Sequence, residues 1–108
     1  TEPVYRYMRG YFLLRGGDAS AALEQFQLGG AEPDLPHRRR AQRLWQGRCL
    51  DVLGRRDEAR KTYASVRAEE GARRPLALAA EGGLSVPYRW PRAAAVVPDF
   101  FFGDVYAY

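Results

Sequence analysis

Between residues 36 and 53, Leu44, Trp45, Cys49, Leu50, Val52 and Leu53 recur among Arg, Gln and Asp at helical spacing and give one wide apolar face. The same reading predicts further helices near 3–15, 18–28 and 57–69. A short fifth helix is predicted near 75–81, opened by Pro75 and stopped by Gly82-Gly83. Residues 84–108 depart from this pattern, because Pro87, Pro91 and Pro98 forbid one continuous helix. Val96, Val97, Phe100, Phe101, Phe102, Val105 and Tyr106 suit short strands or anchoring segments there. The expected class is all-α, with a helical region at 1–83 and an extended, aromatic tail at 84–108.

The chain repeats itself. At a displacement of 37, Gly10 falls on Gly47, Leu13 on Leu50, Gly17 on Gly54, Ala22 on Ala59 and Phe26 on Tyr63. Each pair has a mechanical reading. Gly10 and Gly47 lie inside helices, where glycine costs about 1 kcal/mol relative to alanine, so a close helix contact is the expected compensation. Gly17 and Gly54 each follow an apolar run and suit a left-handed helix end. Asp18 caps the next helix, and Asp57 with Glu58 places acid at the positive end of its counterpart. Ala22 and Ala59 let the second helix approach the first, and Phe26 and Tyr63, one turn later, seal the hairpin. Gly29-Gly30 and the residues up to Pro36 read as a breaker-rich connection.

These residues, and above all the segment Leu53-Gly54-Arg55-Arg56-Asp57-Glu58-Ala59-Arg60-Lys61-Thr62-Tyr63, resemble the tetratricopeptide repeat family over roughly residues 4–67. The resemblance implies two helix hairpins in a short right-handed solenoid. The family repeat is about 34 residues, so the longer spacing here puts extra residues in the Gly29–Pro36 connection. Two repeats leave a core open, and the fifth helix, with Leu76, Ala77, Leu78, Ala79 and Ala80, reads as its cap. The resemblance also implies a peptide-binding inner surface on the first helix of each repeat. Tyr7, Tyr11 and Arg15 represent the first unit, and Leu44, Arg48 and Asp51 the second. The aromatics suit stacking on a peptide and the arginines suit its carboxylates. The Lys and Asn that chaperone-tail binders of this family use for a terminal carboxylate are absent.

Composition narrows the alternatives. No run of apolar residues is long enough to span a bilayer, and no signal-peptide layout is present. The chain opens on Thr1 without an initiator Met and is expected to be a piece of a longer polypeptide, with a processed chain as the alternative. Its single cysteine, Cys49, excludes an internal disulfide framework and offers too few soft ligands for a structural zinc, which fits a reducing, cytoplasmic setting. The net charge of +4 is only a slight bias toward acidic partners. His37 beside Arg38, Arg39 and Arg40 reads as a helix-start residue, and Cys49 as core, so neither a catalytic pair nor a cofactor is expected. The arginine run with Arg43 reads as a solvated helix face before it reads as a nucleic-acid grip.

Half of the fourteen aromatic residues lie in the tail, as Tyr88, Trp90, Phe100, Phe101, Phe102, Tyr106 and Tyr108. Three readings stay open for them: the tail packs on its own helices, it anchors the chain to another molecule or to a second copy, or its end is disordered. The expected function is accordingly a protein-interaction scaffold or adaptor for another polypeptide. A structural assembly subunit, joined through the tail, is the alternative.

Overall fold

The computed structural model describes residues 2–70 and 75–89, and every regular element among them is an α-helix. The order is α1 (Glu2–Arg15), α2 (Ala19–Ala31), α3 (Pro36–Val52), α4 (Arg56–Glu70) and α5 (Pro75–Ser85). Each helix packs on the next in sequence, and α3 also touches α5. No helix among the described residues is long and apolar enough to cross a membrane.

The two helix-ending glycines behave as their sequence context predicts. Gly17 and Gly54 have φ of +92° and +78°, a backbone region open to glycine and strained for other residues. The chain ends α1 and α3 in the same way. Gly17 N–H donates to the Leu14 carbonyl and Asp18 N–H to Leu13, while Gly54 N–H donates to Asp51 and Arg55 N–H to Leu50. Asp18 then caps α2, its Oδ1 accepting from the Ala21 N–H at 3.0 Å.

The other glycines set distance instead of direction. A Cβ at Gly10 would lie 2.8 Å from the Phe26 ring, and one at Gly47 would lie 2.7 Å from the Tyr63 ring. Both rings and both facing alanines, Ala22 and Ala59, are fully buried. Around them lie Tyr7, Leu14, Leu44, Trp45, Val66 and Leu76, which form one core.

Gly29-Gly30 and Gly82-Gly83 correct the sequence reading. Their sequence context predicts a loop and a helix stop, but α2 runs through the first pair to Ala31 and α5 through the second to Ser85. The reason is packing. The Gln42 side chain crosses over Gly29, where a Cβ would meet its Oε1 at 2.0 Å, and donates to the Pro3 carbonyl at 3.2 Å. Gly83 lies under the Tyr63 ring, with a notional Cβ 2.6 Å away. Tyr63 is thus held between Gly47 of α3 and Gly83 of α5. The latter sits 36 residues on, one short of the displacement that relates the first two units, so a search at 37 passes over it.

Of the tail's aromatic residues, Tyr88 falls within the described part of the chain, and Trp90, Phe100, Phe101, Phe102, Tyr106 and Tyr108 lie outside the described residues.

The neighbouring glycines Gly82 and Gly83 give opposite outcomes. Gly83→Ala forces the Tyr63 ring to move and is expected to lower stability by about 1–3 kcal/mol. A Cβ at Gly82 meets nothing within 4 Å, so Gly82→Ala is expected to raise stability by about 0.5–1 kcal/mol through helix propensity alone. Urea titration followed by circular dichroism reads both. Equal effects would mean that the pair ends the helix.

Candidate functional site

Asp51, on the last turn of α3, gathers polar groups from two other segments, α4 and the stretch after α5. Its carboxylate is only 1% exposed. Arg56, at the start of α4, reaches both oxygens through Nη1 at 3.1 and 3.0 Å. The Tyr63 hydroxyl donates to Oδ2 at 2.8 Å, and the Tyr88 backbone N–H donates to the same oxygen at 2.9 Å. Arg56 completes the link by donating through Nη2 to the Leu84 carbonyl at 3.0 Å, at the end of α5. Charge-assisted bonds of this kind are worth about 1.5–3 kcal/mol each, and together they offset the several kcal/mol needed to dehydrate a carboxylate.

Beside this cluster lies an aromatic and cationic stack. The Arg48 guanidinium sits 4.6 Å from the Trp45 ring centre and 4.7 Å from that of Tyr88. Trp45 meets Tyr88 edge to face at 6.0 Å and Tyr11 at 5.7 Å, and stacks on Phe26 at 6.1 Å. A cleft of about 360 Å³ adjoins the stack, bounded by Arg48, by Ala79, Gly82 and Gly83 of α5, and by Val86–Arg89. The non-helical segment after α5 therefore crosses the face where α3 meets α5, with its backbone on a carboxylate and its ring on a guanidinium.

The residues singled out for peptide contact divide in three ways. Tyr7, Tyr11 and Leu44 are buried core side chains. The Arg48 and Asp51 side chains are also buried, and they hold the chain's own Tyr88. Arg15 stands exposed at the end of α1. Sequence reasoning missed Trp45, Arg56 and the Tyr63 hydroxyl as members of the cluster. The signal was available at the repeat displacement. Leu14, Ala19 and Phe26, all buried, become Asp51, Arg56 and Tyr63 in the second unit. Three apolar positions change together into an acid, a base and a phenol.

Elsewhere the chemistry is quiet. Burial pushes the Cys49 thiol up to about 12, so it is a poor nucleophile. In the arginine run, Arg38 pairs with Asp34 at 2.8 Å, and Arg43 pairs with Glu69 at 2.6 Å and donates to Ser65 at 3.1 Å. Those two charges are held within the fold, as a structural helix face requires.

Asp51→Ala leaves Arg56, Tyr63 and the Tyr88 amide without their acceptor and is expected to lower stability by about 3–5 kcal/mol. Tyr63→Phe loses one bond and is expected to lower it by about 1–2 kcal/mol. Burial, then the bond to Asp51, raises the Tyr63 hydroxyl well above its ordinary value. The neutral phenol thus stabilises the fold fully below about pH 10, the unfolded value, and that contribution fades as pH rises beyond it. Urea titrations from about pH 8 to 11 are expected to show a steeper alkaline loss in the parent chain than in Tyr63→Phe. Compared with known proteins, the chain matches no family model, no curated protein and no solved structure.

Proposed function

We propose that this chain is a tetratricopeptide-like protein-interaction module, a scaffold that receives an extended polypeptide segment where α3 faces α5. The observation that carries this reading is the seating of Tyr88. Its backbone N–H bonds the buried Asp51 carboxylate while its ring covers Arg48 and Trp45. A main-chain contact paired with an aromatic anchor is how a groove grips an extended peptide while reading few of its side chains. Here the chain's own segment fills the groove, and another polypeptide carrying an aromatic residue competes for the same place. The work is docking, with no catalytic step and no cofactor.

The test separates groove from ligand. A chain ending at Ser85 is titrated with a labelled peptide of residues 86–108, and binding is followed by fluorescence anisotropy. Saturable one-to-one binding is expected, weakened about tenfold by Arg48→Ala, in line with a desolvated cation–aromatic stack of roughly 1–2 kcal/mol. A shortened chain that stays helical and ignores the peptide would sink the proposal. So would one that unfolds, because the segment would then be core and not ligand. A parent chain whose mass doubles with concentration in light scattering would favour assembly through the tail.

A further inference from the structure

The internal repeat allows the two hairpins to be compared position by position, and the comparison leaves one face unaccounted for. Positions of α1 that face the rest of the fold behave like their counterparts in α3: Tyr7 and Leu44 are buried, as are Gly10 and Gly47. The outer positions do not. Tyr5, Met8 and Phe12 are 56%, 39% and 57% exposed, whereas their equivalents 37 residues on, Gln42, Trp45 and Cys49, are all 0% exposed. Tyr5, Met8 and Phe12 lie three and four residues apart, so they form one stripe along α1.

Tyr88 covers one edge of Trp45 in the α3 stripe. The preceding hairpin covers the rest of Trp45 and Gln42, chiefly through α2: Phe26 stacks on Trp45, Gly29 lets Gln42 cross, and Gln46 donates to the Phe26 carbonyl at 3.1 Å. Position 46 corresponds to Arg9, which donates to the Tyr5 hydroxyl at 3.0 Å across solvent-exposed helix surface. The α1 stripe therefore matches the α3 stripe position for position, with a side-chain donor at the same place in each. A terminal unit of a repeat array needs a polar outer face, and this one is apolar. A second copy is a poor fit, because a two-fold pairing centred on this stripe would bring the exposed Arg9 against its own copy. In this chain the covering hairpin is also the one that precedes the helix, with only residues 32–35 between α2 and α3.

From these observations we infer that the outer face of α1 is a docking surface for a further helix hairpin of the same build, joined on its N-terminal side, with its second helix lying on Tyr5, Met8 and Phe12. The inference is independent of the groove at Tyr88, which lies on α3 and α5.

The test prepends a copy of residues 2–37 directly before Thr1, which preserves the displacement of 37, and places a thiol probe on the face with Met8→Cys. Cys49 is buried and serves as an unreactive background. In the 108-residue chain the introduced thiol is expected to react rapidly with an aromatic disulfide reagent. In the extended chain it is expected to react at least about tenfold more slowly, with a matching gain in helical signal. Phe12→Lys serves as the control. It should leave the thermal midpoint of the parent-length chain within about 3 °C, as exposed positions do, yet restore rapid labelling in the extended chain. Three results would overturn the inference: added residues that stay unfolded, an extended chain that is helical but labels at the parent rate, and a parent-length chain that already shields the thiol as a dimer.

Discussion

The spacing of the helices rests on aromatic rings pressed against glycine backbone. Phe26 meets Gly10, and Tyr63 meets Gly47 on one side and Gly83 on the other, at distances no Cβ tolerates. A ring on bare backbone brings two helix axes closer than a side-chain-to-side-chain contact allows, and it buries the flat aromatic surface on both sides. Within this spacing the alanines at 22 and 59 are fully buried, and Trp45 falls against Phe26, Tyr11 and Tyr88. Tyr63 is the more constrained of the two rings. Its body is clamped by α3 and α5 while its hydroxyl is committed to Asp51.

That commitment links packing to the site. The ring of Tyr63 fixes the helices, its hydroxyl fixes the Asp51 carboxylate, and Asp51 in turn holds Arg56 and the Tyr88 amide. A buried carboxylate that accepts from a guanidinium, a phenol and a backbone amide at once is directional where an apolar contact is not. The segment after α5 is therefore seated at a defined position by its backbone, and its aromatic ring follows.

Most of the helical framework was legible in the chain because its signals are local. Gly17 and Gly54 announce helix ends by their place after apolar runs, and Asp18 announces a cap by its place before one. Glycine within a helix is harder to read, since a breaker and a close-contact position have the same single-residue appearance. Gly29-Gly30 and Gly82-Gly83 look like turns until Gln42 and Tyr63 are known to lie over them. The site was only half legible. Arg48 and Asp51 stood out as inner-surface residues, but the resemblance assigned them to a partner, and the structure occupies them with Tyr88. The partnership of Asp51 with Arg56 and Tyr63 joins residues five and twelve apart on two helices, which no helical period brings together.

The difference between the two hairpins has a consequence for folding fidelity. Similar neighbouring units invite exchange, in which one hairpin settles into the slot meant for another, and such misassembly is a characteristic failure of repeated architectures. Here the slots are chemically labelled. Were Phe26 to occupy the place of Tyr63, the Asp51 carboxylate would be buried without its phenol donor; were Tyr63 to take the place of Phe26, its hydroxyl would face Leu14. Either mistake strands a polar group in the core. The phenol oxygen, with the Asp51 carboxylate it serves, thus acts as a proofreading mark, keeping two hairpins of one pattern in their proper order.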